Sequence, residues 1–179
     1  MHIKIDTVFN GIKGRLGEAV AARILMGLGW EVHRTGIEFS APLLAGAVRS
    51  DKIFAKATAV KPLRDLPDFL AHRGDQSLLV ECKYRTNGTP DRSDIRRYEK
   101  FGEDVVVLLL TPKGAYAALL ADLLDKGDSA YCSLADFEVL VRPDDVEIAR
   151  EFEALCIGLF PCLPENGELK AHIAASCPN

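Results

Sequence analysis

The chain lacks the features that mark membrane, secreted and zinc-ribbon proteins. None of its apolar runs approaches the roughly 20 residues that a membrane helix needs, and the start, Met-His-Ile-Lys-Ile-Asp, has no signal-peptide pattern. The five cysteines are odd in number and have no paired zinc-ligand spacing. We therefore expect a cytoplasmic protein with reduced thiols and no membrane association.

Two common catalytic patterns are also missing. Residues 11–14 (Gly-Ile-Lys-Gly) lack the further glycines and the terminal Lys-Ser/Thr of a phosphate-binding loop. Serine and histidine show no nucleophile arrangement, and His33 and His72 each stand alone, as structural histidines usually do. Any chemistry is therefore expected to come from acidic and basic side chains.

Charge is unevenly distributed along the chain. The net charge of −4 gives no overall basic surface. However, residues 1–100 contain 17 Lys and Arg against 12 Asp and Glu, whereas residues 101–179 contain 5 against 14. A polyanion such as DNA would therefore bind the first 100 residues, and the acidic C-terminal region is a candidate surface for a protein partner.

The most informative charges lie on two neighbouring apolar segments. Residues 66–70 read Leu-Pro-Asp-Phe-Leu, and residues 78–84 read Leu-Leu-Val-Glu-Cys-Lys-Tyr. The polar run 72–77 between them predicts a hairpin turn. The two segments are therefore expected to be antiparallel strands.

This hairpin would bring Asp68 beside Glu81 and Lys83. Because side chains alternate along a strand, Glu81 and Lys83 are expected on one face and Cys82 on the other. Two carboxylates and a lysine in one place indicate a magnesium site for phosphate chemistry. The alternative is a surface acid beside a cross-strand ion pair. Against it, Glu81 interrupts an apolar run, where an uncompensated charge is costly.

Hydrophobic periodicity predicts an alternation of helices and strands. Residues 2–9 are expected to be a short strand or an arm. Helices are predicted over 14–28 (carrying Glu18 and stopped by Gly29), 90–101, 115–124 and 143–159, the last with Ile148, Phe152 and Leu155 inward. Strands are predicted over 30–34, 104–111 and 137–141, with an irregular stretch at 35–62. The uniformly apolar strand 104–111 is expected at the centre of the sheet, covered by helices on both sides.

The order of a Glu-bearing helix, a strand, an Asp-bearing strand, a Glu-x-Lys strand, a helix and a further strand resembles the PD-(D/E)xK nuclease superfamily. The match covers residues 11–111, and residues 13–25 and 29–32 look like the opening helix and strand of archaeal Holliday-junction resolvases. The resemblance implies an α/β fold with a restriction endonuclease-like core over 1–111: a mixed central β-sheet flanked by helices. Residues 112–179 would be an acidic C-terminal helical and strand extension packed on that core, with a tail from about residue 160.

The resemblance also implies roles for particular residues. Asp68 and Glu81 would be metal ligands, Lys83 the catalytic lysine and Glu18 an auxiliary acid. The expected cofactor is Mg²⁺, which Mn²⁺ can replace, and the backbone carbonyl of Cys82 is a further candidate ligand because Mg²⁺ prefers oxygen donors. The expected activity is that of a Mg-dependent endodeoxyribonuclease, with branched or recombination-intermediate DNA among its candidate substrates.

Basic residues near these acids are the candidate contacts to nucleic-acid phosphates. They are Lys13, Arg85, Arg92, Arg96 and Arg97. A homodimer is expected because cutting both strands usually needs two sites. Two alternatives stay open: a catalytically inactive nuclease-fold module that binds protein or nucleic acid, and an RNA-cleaving nuclease.

Overall fold

The computed structural model describes residues 5–35, 65–86, 90 and 92–162, with side chains from 11 to 161. The irregular stretch predicted at 35–62 and the tail predicted from about residue 160 lie almost entirely outside these residues. The account below concerns the described ranges.

Six strands in these ranges form one mixed sheet whose spatial order follows the chain order. Strands β3 and β4 are parallel, and the other neighbours are antiparallel. The strands are β1 (Glu31–Arg34), β2 (Phe69–Arg73), β3 (Gln76–Tyr84), β4 (Val105–Thr111), β5 (Gly114–Leu119) and β6 (Cys132–Ser133). The accompanying helices are α1 (Ile5–Gly27), α2 (Arg92–Arg96), α3 (Leu120–Lys126) and α4 (Val146–Leu159). The prediction of an α/β protein with a mixed sheet flanked by helices is confirmed.

Helix α1 is longer than predicted. Periodicity predicts it at 14–28 and a strand or arm at 2–9, but the helix already begins at Ile5. The first residues join it because lengthening an existing helix adds hydrogen bonds without a new nucleus. The predicted stop is confirmed: Gly29 has φ +77°, and the Trp30 N–H donates to the Leu25 carbonyl at 3.0 Å.

A two-residue turn joins β2 to β3. The turn predicted over 72–77 is too long, because the strands pair as far as Arg73 and Gln76. Only Gly74 and Asp75 remain in the turn, where Gly74 takes φ +61°. This tight turn fixes the register of the strand pair, and the register decides where the charged residues meet.

Every residue of β4 is buried, because helices cover both faces of the sheet. Val106, Leu108 and Leu110 pack in one hydrophobic cluster with α1 and α4. Val105 and Val107 point to the opposite face and pack in a second cluster with α2 and α3. The prediction of a central strand with helical cover on both sides is confirmed.

Strand β5 stands where a helix is predicted. Leu- and Ala-rich composition favours a helix over 115–124, yet Gly114–Leu119 is a strand and α3 begins only at Leu120. The cause is the tight connection after β4. Gly114 (φ +140°) turns the chain back and pairs with Thr111, so that pairing with a central strand outweighs local propensity.

The predicted strand at 137–141 is wrong. These residues form turns in which Leu140 is fully buried. Its carbonyl accepts hydrogen bonds from the Trp30 indole at 3.0 Å and from the Arg73 guanidinium at 3.1 Å. Two side chains therefore give the Leu140 carbonyl the hydrogen bonds that a neighbouring strand would otherwise supply.

Helix α2 is shorter than predicted. The pattern over 90–101 predicts one helix, but α2 covers Arg92–Arg96 and a separate 3₁₀ turn follows at Glu99–Phe101. Ile95 and Tyr98 are buried as expected.

Helix α4 begins at Val146, after the 3₁₀ turn Pro143–Asp145. Ile148 and Phe152 pack against the hydrophobic core as predicted, but Leu155 does not. Leu155 is 49% exposed, whereas Ala149 and Cys156 are fully buried. Phe152 makes the close contact with α1, since a Cβ at Gly27 would lie 2.5 Å from its ring. Within the described residues, no helix has both the length and the apolar character needed to cross a membrane.

We predict that Leu108→Ala lowers the free energy of unfolding by about 2–5 kcal/mol, because it opens a cavity in the fully buried β4. Leu155→Ala makes the same change at an exposed position and should cost about 0.5 kcal/mol or less. Urea unfolding of the two variants measures both values. Equal destabilisation would contradict the packing described for α4.

Candidate active site

Asp68 lies immediately before β2 and faces the middle of β3. Its Oδ2 accepts a hydrogen bond from the Cys82 backbone N–H at 2.9 Å. Glu81 and Lys83 project from one face of β3, whereas the Cys82 side chain packs in the hydrophobic cluster on the other face. The antiparallel hairpin thus brings Asp68, Glu81 and Lys83 together.

Helix α1 contributes a fourth charged residue to the same place. Gly17 lets the helix approach β3 closely, since a Cβ at this position would lie 3.1 Å from the Tyr84 Cβ. The next residue, Glu18, has its Oε2 3.4 Å from Arg34 Nη1. An open cavity of about 560 Å³ is lined by all four predicted catalytic residues, Glu18, Asp68, Glu81 and Lys83.

Glu81 is almost fully buried, with a side-chain exposure of 3%. Its Oε1 accepts a hydrogen bond from Lys83 Nζ at 2.5 Å, and Arg97 Nη2 lies 3.8 Å from the same oxygen. Its Oε2 is buried and has no hydrogen-bond partner among the described residues. Because an unpaired buried carboxylate oxygen costs free energy, a cation in the cavity would stabilise this side chain.

Asp68 shows the effect of gathering carboxylates in one cavity. Burial, followed by the nearby charge of Glu81, raises the pKa of Asp68 from 3.8 to about 7. The hydrogen bond from the Cys82 N–H and the charge of Lys83 oppose this shift. The Asp68 carboxyl is thus buried beside other carboxylates, and a bound cation would stabilise its ionised form.

Tyr98 and Arg97 cover the buried Glu81. The Arg97 guanidinium lies 4.7 Å from the centroid of the Tyr98 ring and donates a hydrogen bond to the Tyr98 hydroxyl. Burial, the charge of Glu81 and a hydrogen bond with the Glu81 carboxylate raise the pKa of Tyr98, so the phenol stays neutral. The Arg97 side chain is 45% exposed and lines the cavity, so its charge can reach an anion there.

The predicted phosphate contacts divide into two groups. Those that line the cavity are Lys13, Arg85 and Arg97. Arg92 and Arg96 are exposed on α2 and do not line it. The structure thus gathers three of these cations around the carboxylates and leaves two outside.

Cys82 contributes its backbone to the site, and its thiol belongs to the core. The thiol is buried, and burial together with the charges of Asp68 and Glu81 raises its pKa well above the usual range, so the sulfur stays protonated. In an antiparallel pair, the N–H and C=O of one residue face the same neighbouring strand, which places the Cys82 carbonyl on the Asp68 side. The candidate metal ligands that face the cavity are therefore oxygen atoms, which suit Mg²⁺.

One contact that holds the Asp68 segment is absent from the sequence prediction. The Asp65 carboxylate, three residues before Asp68, is 3% exposed and accepts a hydrogen bond from Lys100 Nζ at 3.0 Å. The pair joins the segment before β2 to the 3₁₀ turn after α2. No local pattern connects residues 35 positions apart, so the sequence carries no signal for it.

Comparison of the chain with models of known protein families, with curated proteins and with solved structures gives no match. The geometry of the cavity is therefore the basis for any assignment of function.

We predict that Asp68→Asn stabilises the metal-free protein increasingly as pH rises from about 4 to about 7. Because the pKa of Asp68 is raised in the folded state, its contribution to stability is complete below the unfolded value of 3.8 and is lost as pH rises through about 7. Asparagine cannot ionise. The variant's advantage in free energy of unfolding should therefore widen over this range and then level off.

Urea unfolding in EDTA at a series of pH values measures this difference. Asp144→Asn, at an exposed position, is the matched control and should show no such widening. A difference between Asp68→Asn and the native protein that stays constant with pH would contradict the electrostatic account of the cavity.

Proposed function

We propose that this chain is a Mg²⁺-dependent endonuclease that hydrolyses DNA phosphodiester bonds with a PD-(D/E)xK active site. One observation carries the proposal: Glu18, Asp68, Glu81 and Lys83 converge on one cavity, where a buried Glu81 oxygen has no hydrogen-bond partner among the described residues. A surface that only binds a partner has no chemical need for this combination. Metal-assisted phosphodiester hydrolysis uses each part of it.

The order of the elements supports the same assignment. Helix α1, the antiparallel strands β1 to β3, helix α2 and the parallel strand β4 follow one another as the resemblance implies. We infer that they form a restriction endonuclease-like core, onto which β5, β6 and α4 add as an extension of the same sheet and its helical layer.

Asp68 and Glu81 would hold the Mg²⁺, with Glu18 and the Cys82 carbonyl as further oxygen donors. When bound, the ion supplies Lewis-acid polarisation of the scissile phosphate and of the attacking water. The Oε2 of Glu81, which Lys83 does not contact, is available to the ion, and the raised pKa of Asp68 is expected of a buried carboxyl without a bound cation.

Lys83 would act on the reacting groups. Its Nζ is held by Glu81 at 2.5 Å and its side chain is only 12% exposed, so the ammonium has a fixed position at the cavity wall. There it would orient the attacking water and offset the negative charge that builds on the phosphate oxygens in the transition state. Glu81 thereby has two tasks: one oxygen positions the lysine, and the other is left for the ion.

Lys13, Arg85 and Arg97 would bind the phosphates on either side of the scissile bond. Contacts of this kind give affinity that depends on salt and hardly on sequence. This suits an enzyme that selects DNA by its shape, so branched DNA is among the substrates to be tested.

We predict metal-dependent cleavage of DNA that is lowered at least about 100-fold by each of Asp68→Asn, Glu81→Gln and Lys83→Met, because each removes a ligand or a transition-state charge. Supercoiled plasmid, a four-way DNA junction and structured RNA are incubated with Mg²⁺, with Mn²⁺ and with EDTA. Gel quantification of the nicked, linear and shortened products gives the rates.

The controls make the same chemical changes at exposed positions. They are Asp144→Asn, Glu151→Gln and Lys113→Met, which should cleave as the native protein does. If the protein cleaves RNA and leaves both DNA substrates intact, RNA is the substrate class. A folded native protein that cuts none of the substrates with either ion would contradict hydrolysis and favour the inactive binding module.

We predict that Arg97→Ala weakens DNA binding about tenfold and reduces the slope of log affinity against log salt by about 1, because one phosphate contact is lost. Arg96→Ala is the matched control, since the neighbouring arginine does not line the cavity. Fluorescence anisotropy in EDTA at several salt concentrations measures binding without cleavage. Equal effects of the two substitutions would contradict the binding of a DNA phosphate by Arg97 in the cavity.

A further inference from the structure

Outside the carboxylate cavity, three side chains converge on the edge strand β1 and its neighbour β2. Strand β1 lies at the edge of the described sheet and pairs with β2, where Glu31 lies directly opposite His72. His33 is two residues along β1 from Glu31 and so lies on the same face. The ligand atoms of these three side chains all lie within 4.8 Å of one another.

The spacing of these atoms suits a tetrahedral metal ion. Glu31 Oε2 lies 3.2 Å from His72 Nε2, and Glu31 Oε1 lies 3.4 Å from His33 Nε2. Two ligands bound to tetrahedral Zn²⁺ at about 2.0–2.1 Å are themselves roughly 3.4 Å apart. Each Nε2 therefore lies about one ligand-to-ligand distance from its own oxygen of Glu31.

The two imidazoles lie side by side on this face of the sheet. The His33 and His72 rings lie 5.6 Å apart between centroids and are tilted by only 5° from parallel. Both Nε2 atoms face the Glu31 carboxylate, so one cation could reach all three side chains.

The cluster is open to solvent, so an ion can enter without burial of charge. Side-chain exposure is 54% for His33, 39% for His72 and 66% for Glu31. Exposed histidine–glutamate contacts of this kind contribute little stability by themselves. Arg34, the nearest basic residue along β1, projects to the opposite face and contacts Glu18.

We propose that Glu31, His33 and His72 form a binding site for a divalent transition-metal ion of the zinc class, with a fourth position open to water. Imidazole nitrogen suits Zn²⁺, whereas Mg²⁺ prefers oxygen donors, so this site and the carboxylate cavity select different ions. His72 lies four residues after Asp68, a separation of about 13 Å in an extended chain. A bound ion would tie the short edge strand β1 to the strand that follows Asp68.

The test is a calorimetric titration of Zn²⁺ into the full-length protein without a histidine tag, in excess Mg²⁺ so that Zn²⁺ does not enter the carboxylate cavity. One equivalent of Zn²⁺ should bind. His33→Gln and His72→Gln should each lower the affinity at least about tenfold, because each removes one of three protein ligands. Visible absorption of the Co²⁺-loaded protein should report a tetrahedral site and should be lost in His72→Gln.

Two matched variants distinguish this site from other metal ligands. His172→Gln makes the same substitution at a histidine outside the described residues, and Asp68→Asn alters the carboxylate cavity. Both should bind Zn²⁺ as the native protein does. Unfolding temperatures of the variants, measured in chelator, show whether a variant has lost only the metal site or has lost its fold as well. The proposal is overturned if folded His33→Gln and His72→Gln bind Zn²⁺ as tightly as the native protein, or if Asp68→Asn or His172→Gln removes the binding.

Discussion

The burial of Glu81 beside Lys83 is the interaction on which the candidate site depends. One oxygen of this carboxylate holds the lysine at 2.5 Å, and the other has no hydrogen-bond partner among the described residues. A buried ion pair of this kind seldom adds stability over an apolar pair of the same size. Its presence in the middle of an apolar strand is better explained by the chemistry it permits.

The fold supports this costly arrangement from several sides. Strand β4, buried along its whole length, fixes β3 in place through parallel pairing. Helix α1 approaches β3 at Gly17, on the face that carries Cys82 and Tyr84. The hydrogen bond from the Cys82 N–H holds Asp68, and the Asp65–Lys100 pair holds the segment before it. The carboxylates are thereby positioned before any ion binds, at the cost of the raised pKa of Asp68. Such preorganisation is what a hydrolytic site needs.

The sequence predicts the elements that depend on local patterns. Alternation in β3 puts Glu81 and Lys83 on one face, the polar run before it predicts the hairpin, and the uniform apolar stretch of β4 predicts a central strand. Prediction fails where tertiary pairing overrides local propensity. The alanine-rich β5 has a helical composition but is recruited to the edge of β4.

Contacts between distant residues are likewise beyond a local pattern. Two isolated histidines, 39 positions apart in the chain, meet only because β1 and β2 pair in one particular register. The same holds for Arg97, whose place over Glu81 depends on the break between α2 and the 3₁₀ turn. Residue types at a site can be read from the sequence, whereas the second layer of contacts that positions them requires the fold.

The central claim is that the carboxylate cavity binds a hard divalent cation. Anomalous diffraction from crystals soaked in manganese tests it most directly, because the signal locates the ion without reference to activity. The account predicts a manganese peak coordinated by oxygens of both Asp68 and Glu81. Well-ordered crystals in which manganese binds elsewhere, with both carboxylates uncoordinated, would contradict it.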